Sequence, residues 1–148
     1  DGFITNDPPE KARGQERLRQ KILAAAERIA LYESKLRDGT DTLVISYGVS
    51  SRAVEDAAQA LADRGTPIST LSLKTLWPVA EKLLSDIARR FRRIVVIEMN
   101  LGQYAREVRR LAEKWTSVIS MNKVDGTLIT PEEIISHITQ LVGKYERV

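Results

Sequence analysis

The sequence contains no cysteine, a single histidine, few aromatic residues and no long run of apolar residues. Without cysteine the chain cannot form disulfides, nor ligate zinc or an iron–sulfur cluster through thiolates. With His137 as the only histidine, no histidine-based metal-ligand spacing exists, and we predict no metal site. No apolar run is long enough to cross a membrane and no secretory signal is visible, so we expect a cytoplasmic protein.

The charge of the chain is nearly balanced, with 23 Lys and Arg against 20 Asp and Glu, a formal net charge of +3. Nucleic-acid binding needs a concentrated basic stripe with interleaved aromatic residues, and aromatic residues make up only 5% of this sequence. The densest basic cluster, residues 89–93, falls at a predicted helix end, where cations complement the helix dipole. We therefore predict neither a nucleic-acid partner nor a membrane partner.

The chain order predicts a polar arm followed by one α/β domain. Residues 1–12 form the arm, in which Pro8-Pro9 favours extended backbone. The chain starts without methionine, so we expect a piece of a longer protein, with residues 13–148 as its single domain here. Residues 32–37 fit either the end of a first helix or a short edge strand. That helix carries an apolar stripe of Leu18, Ile22, Ala25, Ala26 and Ile29.

Apolar runs alternate with helical patterns along the rest of the chain. Four strands are predicted, at residues 42–47, 68–73, 94–98 and 117–121. The run 94–97 is apolar and β-branched throughout, which is typical of a strand buried on both faces. The alternation predicts an α/β fold, a three-layer α/β/α sandwich with a mostly parallel sheet and a possible antiparallel edge strand. In the last two helices, Trp115 is predicted to be buried and Thr130–Glu133 to form a capping box.

Four polar or small residues directly follow strand 94–98 or end it: Glu98, Asn100, Gly102 and Gln103. In open α/β sheets, function usually sits where strands end and helices begin. Polar groups next to a buried strand also need hydrogen-bond partners. Two interpretations are equally supported by the spacing: these residues cap their own loop and helix, or they face another domain or a ligand.

A second strand–helix junction carries Ser50, Ser51 and Arg52, whose hydroxyls and guanidinium could bind an anion at a helix N-terminus. The spacing matches neither the dinucleotide fingerprint nor a P-loop, and an ordinary helix capped by one of the serines is favoured. His137 lies off the apolar stripe of its helix and is predicted to be solvated. Because no acids, bases and nucleophiles converge, we predict no catalytic residue in this chain.

The motif Glu98-Met99-Asn100-Leu101-Gly102-Gln103, preceded by Leu73-Lys74-Thr75-Leu76-Trp77-Pro78, resembles the α subunit of 2-oxoacid:ferredoxin oxidoreductases, and of the 2-oxoglutarate type in particular. The segments 46–52 and 126–133 support the resemblance, which covers nearly the whole chain. The resemblance implies a fold like that of the C-terminal domain of transketolases. In that fold, residues 32–37 would form a strand that runs antiparallel to 42–47. Residues 1–3 resemble the link from a preceding pyrimidine-binding domain.

The resemblance also implies a function for the whole complex, which would oxidatively decarboxylate 2-oxoglutarate or a related 2-oxoacid with coenzyme A and reduce ferredoxin. Thiamine diphosphate, Mg and a [4Fe–4S] cluster are expected in that complex and none in this domain. The domain would be a scaffold, inactive alone, that contacts other α-subunit domains and a β subunit through Glu98, Asn100, Gly102 and Gln103. Two alternatives stay open: a transketolase or 2-oxoacid dehydrogenase E1-β C-terminal domain, and a stand-alone phosphate- or nucleotide-binding module.

Overall fold

Five strands form one sheet in the computed structural model, which describes residues 5–145. Four of them, β2 to β5, run parallel in the order β3-β2-β4-β5, and β1 pairs antiparallel with β3 at one edge. The predicted fold class is confirmed, and the four predicted strands match the observed ones to within one residue at each end. The strands are β1 (Tyr32–Lys35), β2 (Thr42–Tyr47), β3 (Ser69–Leu73), β4 (Arg93–Glu98) and β5 (Ser117–Asn122).

Helices cover both faces of the sheet and divide the core in two. Along β4, Ile94 and Val96 face the core that contains α3 and α4, while Val95 and Ile97 face the core that contains α2 and α5. All four side chains are fully buried, as the continuous apolar run predicts. The helices are α1 (Pro8–Ile29), α2 (Ser50–Asp63), α3 (Glu81–Ala88), α4 (Gln103–Ala112) and α5 (Pro131–Tyr145).

The ambiguous segment 32–37 contains an edge strand, β1, and not the end of a helix. It runs antiparallel to the other strands, as the resemblance implied, but its hydrogen-bonded neighbour is β3, with Tyr32 opposite Leu73, and not β2. The reason is that β2 already pairs with β3 on one side and β4 on the other, so it has no free edge. The exposed, charged side chains of Glu33 and Lys35 suit a sheet edge, where they discourage further strand pairing.

The first helix starts earlier than predicted and buries less. The Asp7 carboxylate accepts the Glu10 backbone N–H at 3.2 Å, and the two prolines occupy the first helical positions, where no N–H is needed. The extended backbone predicted for Pro8-Pro9 is therefore wrong, while residues 1–4 lie outside the described residues. The apolar stripe of α1 is not covered by the rest of the domain, since no residue of this helix is buried and Leu18 is 50% exposed.

Trp115 is another departure from the expected core. Its side chain is 38% exposed, with Arg89 and Lys114 stacked on its ring at 4.4 and 4.5 Å from the ring centroid. The indole therefore sits under two cations at the surface and not inside the apolar core.

Among residues 5–145, no helix has the length and apolar character needed to cross a membrane.

Candidate functional site

The loops that follow the parallel strands lie together at the carboxyl ends of these strands. This end of the sheet is here called the crest (residues 48–49, 74–80, 99–102 and 123–129). After β2 the chain moves to β3 on one side, whereas after β4 it moves to β5 on the other side. The strand order therefore reverses between β2 and β4. Such a switch point leaves a crevice between neighbouring loops, and it is where α/β proteins most often bind ligands.

The Glu98 carboxylate is fully buried at this switch point and accepts hydrogen bonds from backbone N–H groups at the start of α4. Its Oε2 accepts hydrogen bonds from the Tyr47 hydroxyl at 2.8 Å and the Tyr104 N–H at 3.0 Å, and its Oε1 accepts the Ala105 N–H at 3.0 Å. The two N–H groups belong to the first turn of α4, the positive end of the helix dipole. These contacts offset the free-energy cost of burying a charge, which would otherwise be several kcal/mol.

Asn100 extends the same network toward the surface. Its Oδ1 accepts the backbone N–H of Gly102 at 2.8 Å and that of Gln103 at 3.1 Å, while its Nδ2 donates to the Tyr47 hydroxyl at 2.6 Å. Tyr47 therefore accepts from Asn100 and donates to Glu98. Burial, together with the Glu98 carboxylate, raises the pKa of Tyr47 to about 12, so the hydroxyl keeps the proton that it donates.

Gly102 lies where the backbone conformation and the nearby side chains both favour glycine. Its φ is +85°, and an added Cβ would lie 3.1 Å from the Asn122 Nδ2. The Ser120 hydroxyl in turn donates to the Asn122 Oδ1, so the neighbouring side chain is itself fixed. Gly102 thus lets the β4–α4 loop turn tightly against β5, which brings the first N–H groups of α4 onto Glu98.

The structure places the four predicted interface residues in different environments. Glu98 has no exposed surface and Gly102 is buried, whereas Asn100 is half-buried and the Gln103 side chain is exposed. The side chains of Glu98 and Asn100 bind their own loop and helix, so the local interpretation describes the contacts that they make. Contact with another domain stays a prediction, for which Gln103 is the best-placed polar side chain.

The serines at the start of α2 do not cap it as predicted. Val49 is the N-cap residue and makes no side-chain capping bond. Ser50 and Ser51 lie inside the first turn and are 5% and 8% exposed. The Ser51 hydroxyl is held by Ser46 at 3.2 Å and Ser72 at 2.9 Å, which ties α2 to β2 and β3 instead. Arg52 is exposed at the same helix end.

His137 differs from its predicted solvated state. Its side chain is half-buried on α5, and its Nε2 is buried without a hydrogen-bond partner among the described residues. Burial lowers the pKa of His137 because it disfavours the charged imidazole. Among residues 5–145, no group of three or more His, Cys, Asp or Glu residues is arranged to hold a metal ion.

Sequence reasoning missed the most extended feature of the crest, which is apolar. Every crest loop exposes at least one large hydrophobic side chain, and Trp77 and Leu101 are 72% and 71% exposed. Large apolar side chains exposed on all four loops at one end of a domain are suited to contact with a protein or a ligand. The available signal was the position of these residues, directly after strands and among polar neighbours. They are Val49, Leu76, Trp77, Leu101, Val124 and Leu128.

Comparison with known proteins shows the family to which the chain belongs. Residues 40–134 match the family model for the pyruvate:ferredoxin oxidoreductase core domain II. The 2-oxoglutarate synthase subunit KorA of Methanothermobacter marburgensis is 34% identical over 122 residues, which cover 82% of this chain and 32% of that protein. This chain therefore spans about a third of the length of that relative.

Two solved structures share the fold at low sequence identity. A 2-oxoglutarate:ferredoxin oxidoreductase from Magnetococcus marinus superposes with a TM-score of 0.79 at 20% identity, covering 94% of this chain and 24% of that chain. A transketolase from Pichia stipitis superposes with a TM-score of 0.56 at 15% identity, covering 78% and 18%. The fold predicted from the resemblance is confirmed by both.

Proposed function

The chain belongs to the pyruvate:ferredoxin oxidoreductase core domain II family, and from this premise we propose that it is the assembly domain of a 2-oxoacid:ferredoxin oxidoreductase α subunit. The complex would oxidatively decarboxylate 2-oxoglutarate or a related 2-oxoacid with coenzyme A, form the acyl-CoA and reduce ferredoxin. Support for the substrate comes from the relative described as a 2-oxoglutarate synthase subunit. A transketolase is the weaker alternative, because the transketolase above shares only 15% identity with this chain.

The observation that carries the scaffold role is the division of the crest into satisfied polar groups and exposed apolar ones. Glu98, the buried carboxylate nearest the switch point, is engaged by three donors of its own domain. A group held by three donors and without exposed surface is positioned for structure, since no substrate in solution can reach it. The surface offered to the outside consists instead of side chains such as Trp77 and Leu101, which are suited to burial against another protein surface.

The occupants that we propose for the crest are the other domains of the α subunit and the β subunit. This chain corresponds to about a third of the KorA relative, so most of such a subunit lies outside it. A buried aromatic anchor surrounded by smaller apolar contacts is the usual arrangement of a stable interface. Trp77 has the largest exposed apolar side chain of the crest and is the best candidate for such an anchor.

The cofactors of such a complex find no suitable ligands here. A [4Fe–4S] cluster needs thiolates, and the sequence contains no cysteine. In residues 5–145 no group of three or more Asp, Glu, His or Cys side chains is arranged to hold a metal ion, which disfavours a Mg site for thiamine diphosphate in this domain. We therefore place both cofactors on other parts of the complex, where this domain affects them only by holding its neighbours in position.

The test is to assemble the full oxidoreductase with Trp77→Ser or Leu101→Ser on the crest. Each change should weaken subunit association and lower 2-oxoglutarate- and coenzyme-A-dependent ferredoxin reduction in proportion to the complex lost. The matched control for Trp77→Ser is Trp115→Ser, the same chemical change at the opposite end of the strands, just before β5 begins. Variants that stay assembled but lose turnover would overturn the scaffold role.

A further inference from the structure

A cavity of about 200 Å³ opens at the switch point on the side of α2 and α5. Its walls are the first two turns of α2, Met99 after β4, and Leu128, Ile129 and Pro131 at the start of α5. We propose that this cavity binds a small organic carboxylate, held by Ser50, by Arg52 and by the N-terminal end of α2. The proposal rests on these residues alone and goes beyond the assembly role.

Ser50 is the first observation that indicates a ligand. The residue lines the cavity and is only 5% exposed, and its hydroxyl forms no hydrogen bond within the described part of the chain. Ser51 beside it shows the usual situation, since its hydroxyl has two hydrogen-bonded partners. A hydroxyl in a cavity wall that has no partner in its own domain is available to bond an oxygen of a ligand in that cavity.

The electrostatics of the cavity favour a negative charge. No side chain caps the N-terminus of α2, so the positive end of the helix dipole remains open to an anion. Arg52 adds a full positive charge on the same wall, with donors that match the two oxygens of a carboxylate. Helix end, hydroxyl and guanidinium therefore converge on one small volume.

The remaining walls decide which anion fits best. Asp56 also lines the cavity, and its negative charge disfavours a phosphate dianion more than a carboxylate monoanion. Met99, Leu128 and Ile129 supply an apolar wall opposite the charged groups. A short-chain carboxylic acid satisfies both parts, with its charged end on α2 and its hydrocarbon end against these three side chains.

The experiment is a titration of the ¹⁵N-labelled 148-residue chain with butyrate, followed by NMR. Butyrate should shift the amide resonances of residues 49–53 and 128–130 saturably. Butyramide, which has the same shape without the charge, and methyl phosphate, which has the charge on another group, are the comparison ligands. Equal shifts with butyramide, tighter binding of methyl phosphate, or shifts confined to other residues would each overturn the assignment.

Variants then test the individual groups. Arg52→Gln should weaken butyrate binding about tenfold and Ser50→Ala about fivefold, as expected for a charge-assisted and a neutral hydrogen bond. Arg64→Gln removes the same charge at the other end of α2 and should leave the affinity unchanged. Because Arg52 is exposed, its replacement tests the site even if Ser50→Ala fails to fold. Unchanged affinity in a folded Arg52→Gln protein would refute the proposal.

Discussion

The Tyr47 hydroxyl donates a hydrogen bond to the Glu98 carboxylate over 2.8 Å, which joins the ends of two neighbouring parallel strands. Asn100 donates to the same hydroxyl at 2.6 Å, and the carboxylate holds the start of α4. The polar groups of the crest thus form one connected unit between β2, β4 and α4. This unit fixes the loop that carries Leu101 and Gln103, which are both exposed.

We expect Tyr47→Phe to lower the free energy of unfolding by about 1–3 kcal/mol, because Glu98 loses a donor and the Asn100 Nδ2 loses its acceptor. The ring itself stays, so its edge contact with Tyr104 at 5.7 Å between centroids is kept. Urea unfolding measures the change. Tyr32→Phe on exposed β1 is the control and should change stability by less than about 0.5 kcal/mol. Equal effects of the two changes would contradict a structural role for the network.

Two glycines with the same backbone conformation give a matched test of crowding in the β4–α4 loop. Gly102 and Gly126 have φ of +85° and +83°, but only at Gly102 would a Cβ approach another residue, the Asn122 side chain at 3.1 Å. Both alanine variants should lose about 1–2 kcal/mol from the left-handed backbone. Gly102→Ala should lower the free energy of unfolding by about 1 kcal/mol more, because its Cβ would overpack against the Asn122 side chain. Thermal melts of the two variants that coincide would show that the loop accommodates a Cβ.

The single histidine makes the stability of the chain pH-dependent in a defined window. The pKa of His137 is lowered from its ordinary value of 6.5 by burial, so the unfolded chain takes up the proton at a higher pH than the folded chain. The unfolded state then binds more protons, and the free energy of unfolding falls as pH drops through about 6.5. We expect His137→Gln to remove this decline when unfolding is measured between about pH 7.5 and 5.5. A variant with the slope of the parent would show that another group titrates there.

The strands could be predicted because their signal is local. The run 94–97 is buried on both faces, and the alternation of such runs with helical segments leaves few arrangements other than a parallel α/β sheet. The motif Glu98–Gln103, together with residues 73–78, also carried the resemblance that the family match of residues 40–134 confirms. In these places local propensity and tertiary packing agree.

The failures concern pairing and burial, which depend on the rest of the molecule. The partner of β1 is set by which strand has a free edge, and no pattern within residues 32–37 contains that information. The apolar stripe of α1 has helical spacing yet is not buried, because spacing predicts amphipathicity and not the surface that covers it. The hydroxyl of Ser51 has the chemistry of a helix cap, but β2 and β3 offer it partners inside the sheet layer.

The last prediction separates assembly from chemistry at Gln103. Its side chain is exposed, and its backbone N–H, which binds the Asn100 Oδ1 at 3.1 Å, is kept in Gln103→Ala. The isolated chain should therefore be as stable as the parent to within about 0.5 kcal/mol. In the assembled oxidoreductase, loss of a buried hydrogen bond at the interface would cost about 1–3 kcal/mol, or roughly five- to hundredfold in subunit dissociation.

Turnover of the intact Gln103→Ala complex should stay close to that of the parent, since a lost catalytic group would lower the rate by far more than that interface cost. Subunit dissociation and ferredoxin reduction are therefore measured separately on the purified complex. Gln140→Ala, an exposed glutamine on α5 away from the crest, is the control and should change neither. An intact complex with almost no turnover would make Gln103 part of the reaction and the assembly role of this residue wrong.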